Sequence, residues 1–307
     1  MESVIPEPFV KELEPLCSEC PTTDINGVKR FLEQEYGKDI SLIFKEIEPE
    51  PIGSASLAQV HRAVLVDGTK VAIKVQHAKV PYHLKGDIMT VKIGCYLAEL
   101  IFPDFKYRWL GRELGMNLPD ELDFRKEAHN ADRVRELFKH DPRLIIPKVF
   151  WELTTDKVMV MSFEEGKCVT DTKYLKDNNI KLKEVSGTMC DIFNQMIFKH
   201  GFVHADPHQG NLLVRREKIN GVDMTRIVLL DHGLYLTYGD DFRYQISLLW
   251  RGVITQNKEI LRDACKRIGI KQDEMFIHLL TSNDYSEVMD EDKKFNEDRL
   301  KARSIYY

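Results

Sequence analysis

The stretch HGFVHADPHQGNLLV (200–214) concentrates side chains that handle protons and metal ions, and RIVLLDHGL (226–234) adds one more at the end of an apolar run. Asp206 and Asn211 stand in the spacing D-x-x-x-x-N, and Asp231 leads an Asp-His-Gly triplet. A carboxylate and a carboxamide offer hard oxygen donors, so Asn211 and Asp231 are candidate Mg2+ ligands against the phosphates of a nucleotide. Asp206 would orient or deprotonate the attacking hydroxyl or water. The spacing matches a phosphoryl-transfer catalytic loop followed by a metal-binding Asp-x-Gly. His204, Asp206 and His208, with His200 nearby, also admit a metal-hydrolase reading, because H-x-D-x-H in extended backbone presents alternating ligands. Pro207 and the D-x-x-x-x-N spacing fit the first reading better, and leave His204 as a structural histidine bonded to loop backbone.

Two further residues complete the set. Val71-Ala72-Ile73-Lys74 lies in an alternating run, KVAIKVQ (70–76), that predicts a strand with Val71, Ile73 and Val75 on one face and Ala72, Lys74 and Gln76 on the other. Lys74 is a candidate phosphate-binding lysine; the plain alternative is a lysine facing solvent. On a helix predicted from about 120, Phe124, Glu127, Ala131 and Val134 share one stripe, which turns Glu127 inward. A buried carboxylate needs a cation, and Lys74 is the natural partner. The alternative is a boundary glutamate in water. Asp123 and Glu127 are like charges at i,i+4, which costs the helix about 0.2–0.5 kcal/mol unless a positive group intervenes.

The elements that must position these residues are legible in outline. Residues 6–48 read as two or three short helices, one of them capped by Asp24 with Val28, Phe31, Leu32 and Tyr36 at helical spacing. Pro49 and Pro51 break that pattern, and the small residues Gly53, Ser54, Ala55 and Ser56 follow. Strands are predicted at 57–66, 70–76, 149–153, 157–162, 211–215 and 226–230, with a hairpin signal at Asp67-Gly68 and a turn around Asn220-Gly221. Helices are predicted at 84–101, 120–139, 181–200 and 240–280. Strands dominate the first half and helices the second, the pattern of an α+β protein with two lobes.

Composition excludes other classes. The 307 residues are 43% hydrophobic and 30% charged, so the chain has ample core and is not disordered as a whole. A formal charge of -5 is not the footprint of a nucleic-acid binder. The six cysteines are scattered, which fits a reducing compartment better than a disulfide scaffold. Cys17 and Cys20 form a C-x-x-C pair with no second pair or histidine to complete a zinc set. The most apolar segment, 93–102, is short and contains Glu99, so no membrane span is expected. The acidic start carries no signal or transit peptide pattern.

The motifs PIGSASLAQVHRAVLVDGTKVAIKVQH (51–77), LPDELDFRKEAHNA (118–131), GFVHADPHQGNLLV (201–214) and IVLLDHGL (227–234) resemble the UbiB-type atypical kinases, or aarF-domain-containing kinases, over roughly residues 6–280. The likeness is strongest to the mitochondrial branch of that family. It implies a protein-kinase-like two-lobe fold with family-specific helical insertions. The expected parts are an N-terminal helical extension (1–48), a small lobe with inserted helices (49–163), and a helical large lobe and tail (164–307). It implies ATP or ADP and Mg2+ as cofactors. Nucleotide binding would fall on Gly53, Ser54, Ala55, Ser56, Ala72, Lys74, Met161 and Phe163, catalysis on Lys74, Glu127 and Asp206, and metal binding on Asn211 and Asp231. Met161, Ser162 and Phe163 would sit near the hinge.

The resemblance also implies mitochondrial biology tied to coenzyme Q or lipid homeostasis, with lipid or isoprenoid-linked partners and the mitochondrial membrane surface, and ATPase action over protein phosphorylation. The family's E-x-D element falls on Glu121-Leu122-Asp123. Its K-x-G-Q motif is absent from this sequence. Glu121 and Asp123 therefore lack the lysine that meets them in the family; either the chain is truncated at its start or the branch has lost this lid, and the expectation is an isoform or fragment that keeps the kinase-like core. Two rival functions are a small-molecule phosphotransferase and a non-enzymatic nucleotide-binding scaffold. Alanine and serine carry a Cβ, so positive φ is costly for them and their backbone approaches phosphate less closely than glycine does. Altered nucleotide handling is expected from that loop.

Overall fold

The structure is a computed structural model that describes residues 22–281 apart from 56, 79 and 103–106, and leaves aside the side chains of 81–85, 116–121 and 279. Cys17, Cys20 and Ser56 lie outside the described residues, as does the Glu121 side chain. The chain divides into two compact units that are discontinuous in sequence: the described residues up to 136 with 146–165 and 230–233, and 137–145 with 166–229 and the described residues from 234.

In the first unit, Lys70–Gln76 lies between Ala58–Leu65 and Val158–Ser162 in an antiparallel sheet, with Phe44–Ile47 and Gly53–Ser54 also paired to Ala58–Leu65. Lys74 sits opposite Val60 on one side and Met159 on the other, while Ala72 sits opposite Arg62 and Met161. Branched residues make the strand stiff and good at covering a sheet face. Val71, Ile73, Val75, Val158 and Val160 bury one face of the sheet against Val28 and Leu32 of the helix Ile25–Tyr36. That helix starts where the sequence predicts, with the Asp24 carboxylate accepting from the Gly27 N–H, and ends at Gly37, whose φ of 64° is the left-handed turn glycine adopts freely.

Three elements differ from those expected. Residues 44–48 are not helical: Phe44–Ile47 is a strand, because Phe44 and Ile47 drop into the same core as Val71 and Ile73. Residues 149–153 are not a strand. Val149 makes a single bridge to Met161, and Trp151–Leu153 is a 3₁₀ turn. The Thr154 hydroxyl is the reason: it accepts from the Val160 N–H and donates to the Phe150 C=O, taking a donor that a longer edge strand would have used. The helix expected over 120–139 is the second of two, Arg108–Glu121 and Phe124–Leu137. Asp123 separates them, its carboxylate accepting from the Arg125 N–H as an N-cap.

In the second unit, Leu144–Ile145 runs parallel to Val222–Leu229, which pairs antiparallel with Leu212–Ile219, and Lys167–Cys168 completes the sheet. The Asn220-Gly221 turn has φ of 50° and 82°, the geometry that suits a two-residue hairpin. Phe202–His204 pairs with Tyr235–Thr237. The helix predicted at 181–200 runs as Leu182–Asn194 and then widens into a π-helical turn, Gln195–His200. The segment 240–280 is three helices, Asp240–Ile254, Lys258–Ile268 and Asp273–Thr281, interrupted by the Asn257 cap and by Gly269 at φ 88°. Among the described residues no helix is long and apolar enough to cross a membrane.

Candidate functional site

Lys74 is central to the first unit. Its ammonium donates to both Glu127 oxygens, at 2.7 and 2.9 Å, and to Asp231 Oδ2 at 2.9 Å, so each of its three N–H bonds has a carboxylate oxygen. The Phe124 ring lies 5.2 Å away. Side-chain exposure falls from 33% for Asp231 through 15% for Lys74 to 4% for Glu127. Asp231 is thus the most exposed member of the cluster and Glu127 the most buried.

Local sequence explains how Glu127 arrives there. The Gln76 carboxamide, two residues from Lys74 on the same face, donates to the Leu122 and Asp156 carbonyls, and the Phe124 N–H donates to Asp156 O at 3.0 Å. These bonds and the Asp123 cap set the register of the helix Phe124–Leu137, whose Phe124, Glu127, Ala128, Ala131 and Val134 are all buried. The like-charge cost between Asp123 and Glu127 is relieved because Asp123 faces helix N–H groups and Glu127 faces Lys74.

Asp231 is held by a tight local turn, its Oδ1 accepting from the Gly233 N–H at 2.9 Å. The His232 carbonyl accepts from Asn130 on the Glu127 helix at 2.9 Å. Burial pushes the Glu127 carboxyl up, and the opposing pull of Lys74 does not fully cancel it. Burial works against the Lys74 ammonium, but the Glu127 and Asp231 carboxylates overcome it and hold its pKa above the ordinary lysine value. Burial alone would raise Asp231; Lys74 and the Gly233 N–H reverse that and keep it ionised. With all three charged, the cluster has one surplus negative charge, and its most exposed carboxylate is where a cation would be attracted.

The small-residue segment lies in the same unit. Gly53 and Ser54 pair with Val60 and Gln59, and the Ala55 N–H donates to Ala58 O at 2.8 Å, closing a tight hairpin. His77 fixes the far side, its Nε2 lying 3.0 Å from the Ala55 carbonyl oxygen. The Ala55 N–H is thus used inside the hairpin. Ser54 Oγ is buried and has no hydrogen-bond partner among the described residues. Met161 is buried opposite Ala72, and Phe163 follows the strand end, where Arg62 stacks over its ring at 4.6 Å.

Asp206 and Asn211 belong to the second unit. Asp206 is exposed, and its N–H donates to His204 Nδ1 at 3.0 Å, which makes buried His204 the loop-bracing histidine its setting predicts. The His204 ring also packs on Tyr235, 4.9 Å between centroids. Gln209–Asn211 is a 3₁₀ turn, and the Asn211 side chain meets His208. Among the described residues no three His, Cys, Asp or Glu side chains form a group suited to hold a metal ion. The sequence did not single out His77 on Ala55 or His208 on Asn211. The second carried a readable signal, since His208 falls inside the D-x-x-x-x-N spacing.

A buried lysine shared between a helix glutamate and an Asp-x-Gly aspartate, on this α+β fold, is the arrangement of a kinase-like domain. The chain belongs to the ABC1 atypical kinase-like domain family, whose pattern matches residues 15–264. It is 41% identical to the AarF domain-containing protein kinase 1 of Xenopus laevis over 289 residues, covering 94% of this chain and 55% of that one. It is 39% identical to the AarF domain-containing kinase 1 of Drosophila melanogaster, over 94% of this chain and 56% of that one. The chain thus spans about half the length of these curated relatives. Among solved structures it is similar in fold to Rv3197 of Mycobacterium tuberculosis, solved with erythromycin: the TM-score is 0.67 at 23% identity, over 87% of this chain and 66% of that one.

Proposed function

We propose that this chain is the nucleotide-binding core of an atypical kinase that transfers or hydrolyses the terminal phosphate of ATP with Mg2+. The observation that carries the reading is the Lys74 ammonium held between Glu127 and Asp231. Lys74 would meet nucleotide phosphate, Glu127 would hold the lysine in place, and Asp206 would orient or deprotonate the acceptor. The donor set fits the cofactors. Asp231 and Asn211 offer carboxylate and amide oxygens suited to Mg2+, and the Ser54 hydroxyl is a buried polar group with no hydrogen-bond partner among the described residues. When bound, the metal neutralises charge on the phosphates. Gly53, Ser54, Ala55, Ser56, Ala72, Met161 and Phe163 would line the nucleotide.

Family membership supports a wider reading of the whole protein: a mitochondrial ATPase-type kinase serving lipid or coenzyme Q homeostasis, with lipid or isoprenoid-linked partners at the membrane surface. A non-enzymatic nucleotide switch is the second reading. The Ala55 N–H favours it, because a group turned into the hairpin is not offered to phosphate. ATP turnover by wild type compared with Asp231→Asn separates the two. The kinase reading expects a loss of at least about 100-fold in the variant, because a metal ligand is lost; equal rates in both would leave the switch.

A further inference from the structure

Between Asp206 and Asn211 the chain turns around His208. The His208 N–H donates to the Asp206 carbonyl at 2.9 Å, and the His208 carbonyl accepts from the Asn211 N–H at 3.1 Å. His208 meets Asn211 again through its side chain, with Nε2 2.7 Å from Asn211 Nδ2. A carboxamide nitrogen only donates, and the ring nitrogen is the group it faces. The carboxamide is therefore fixed with its nitrogen toward the ring and its oxygen turned away. Gly210 leaves room for this: a Cβ there would lie 3.1 Å from both Nδ1 and Cε1 of His208.

We infer that His208 is a positioning residue that orients the Asn211 carboxamide so that Oδ1, the one atom of that side chain able to ligate a hard cation, is presented to the metal. The inference rests on Asn211 being a metal ligand, as proposed above. His208 acts through Asn211 and need not touch metal or nucleotide. Without the ring, the carboxamide can turn over by half a rotation and offer nitrogen where oxygen is required.

Mn2+ serves as the probe, followed by electron paramagnetic resonance and titrated in saturating ADP against wild type, His208→Ala and His208→Gln. His208→Ala weakens Mn2+ binding about 10-fold or more, while its unliganded melting temperature and its metal-free ADP affinity match wild type. His208→Gln recovers most of the loss, because the glutamine oxygen can accept at the place of Nε2. Unchanged Mn2+ affinity in His208→Ala, or a loss that glutamine does not recover, overturns the inference. A wild-type protein that binds neither ADP nor Mn2+ overturns the nucleotide-site reading and this inference with it.

Discussion

Lys74, Glu127 and Asp231 are fixed by charge withdrawn from water, whereas Asp206, His208 and Asn211 are fixed by backbone hydrogen bonds in a turn whose first two members are exposed. The two regions should answer substitution in opposite ways. Deleting a member of a buried ion cluster leaves an uncompensated charge and costs stability. Deleting a side chain from an exposed turn leaves the backbone bonds intact and costs chemistry alone. Stability and turnover measured on the same variants therefore pull the two regions apart.

The largest effect is expected at Lys74. Lys74→Met leaves Glu127 buried without its cation and should cost about 3 kcal/mol at pH 7.5 in a denaturant titration. The loss should shrink toward pH 5. In the variant, Glu127 keeps a folded-state pKa raised above its ordinary 4.5, so the folded protein holds a proton that the unfolded chain has released. Stability then falls as pH rises from the unfolded value to the folded one, and returns as pH is lowered. A loss of equal size at both pH values would mean that Glu127 is not the group left stranded.

A smaller effect is expected at Ala55. Ala55→Gly adds backbone freedom to the hairpin that Ala58 and His77 brace, and should cost about 0.5–1 kcal/mol. It should also change ATP or ADP affinity, measured by calorimetry. Unchanged affinity for both would separate the hairpin from nucleotide handling. The smallest stability effect is expected in the turn: Asp206→Asn should stay within about 0.5 kcal/mol of wild type while turnover falls by about 100-fold or more. A destabilisation there as large as that at Lys74 would erase the contrast.

The lysine cluster was the more legible region because its signals are periodic. Alternation in 70–76 puts Lys74 beside Ala72, and the 3.6-residue stripe from Phe124 turns Glu127 inward, so burial itself asks for the pair that the structure contains. Asp231 beside Lys74 comes from distant sequence, and only the motif linked them. The elements that escaped are those where side chains compete with backbone. Thr154 takes the Val160 N–H and ends the strand expected at 149–153, and Asp123 caps a new helix inside the continuous one expected over 120–139. Phe202–His204 and Tyr235–Thr237 are too short for alternation to register, and their pairing joins residues far apart in sequence. The His208 to Asn211 contact depends on a turn whose shape periodicity does not encode.

The most direct test of the central claim is thermal unfolding with and without Mg-ATP and Mg-ADP, each protein referred to its own unliganded midpoint. Nucleotide at a hundred times its dissociation constant should stabilise wild type by about 2.7 kcal/mol. The account predicts that this stabilisation disappears in Lys74→Ala and in Asp231→Asn. Equal stabilisation of both variants and wild type would place the nucleotide elsewhere and contradict it.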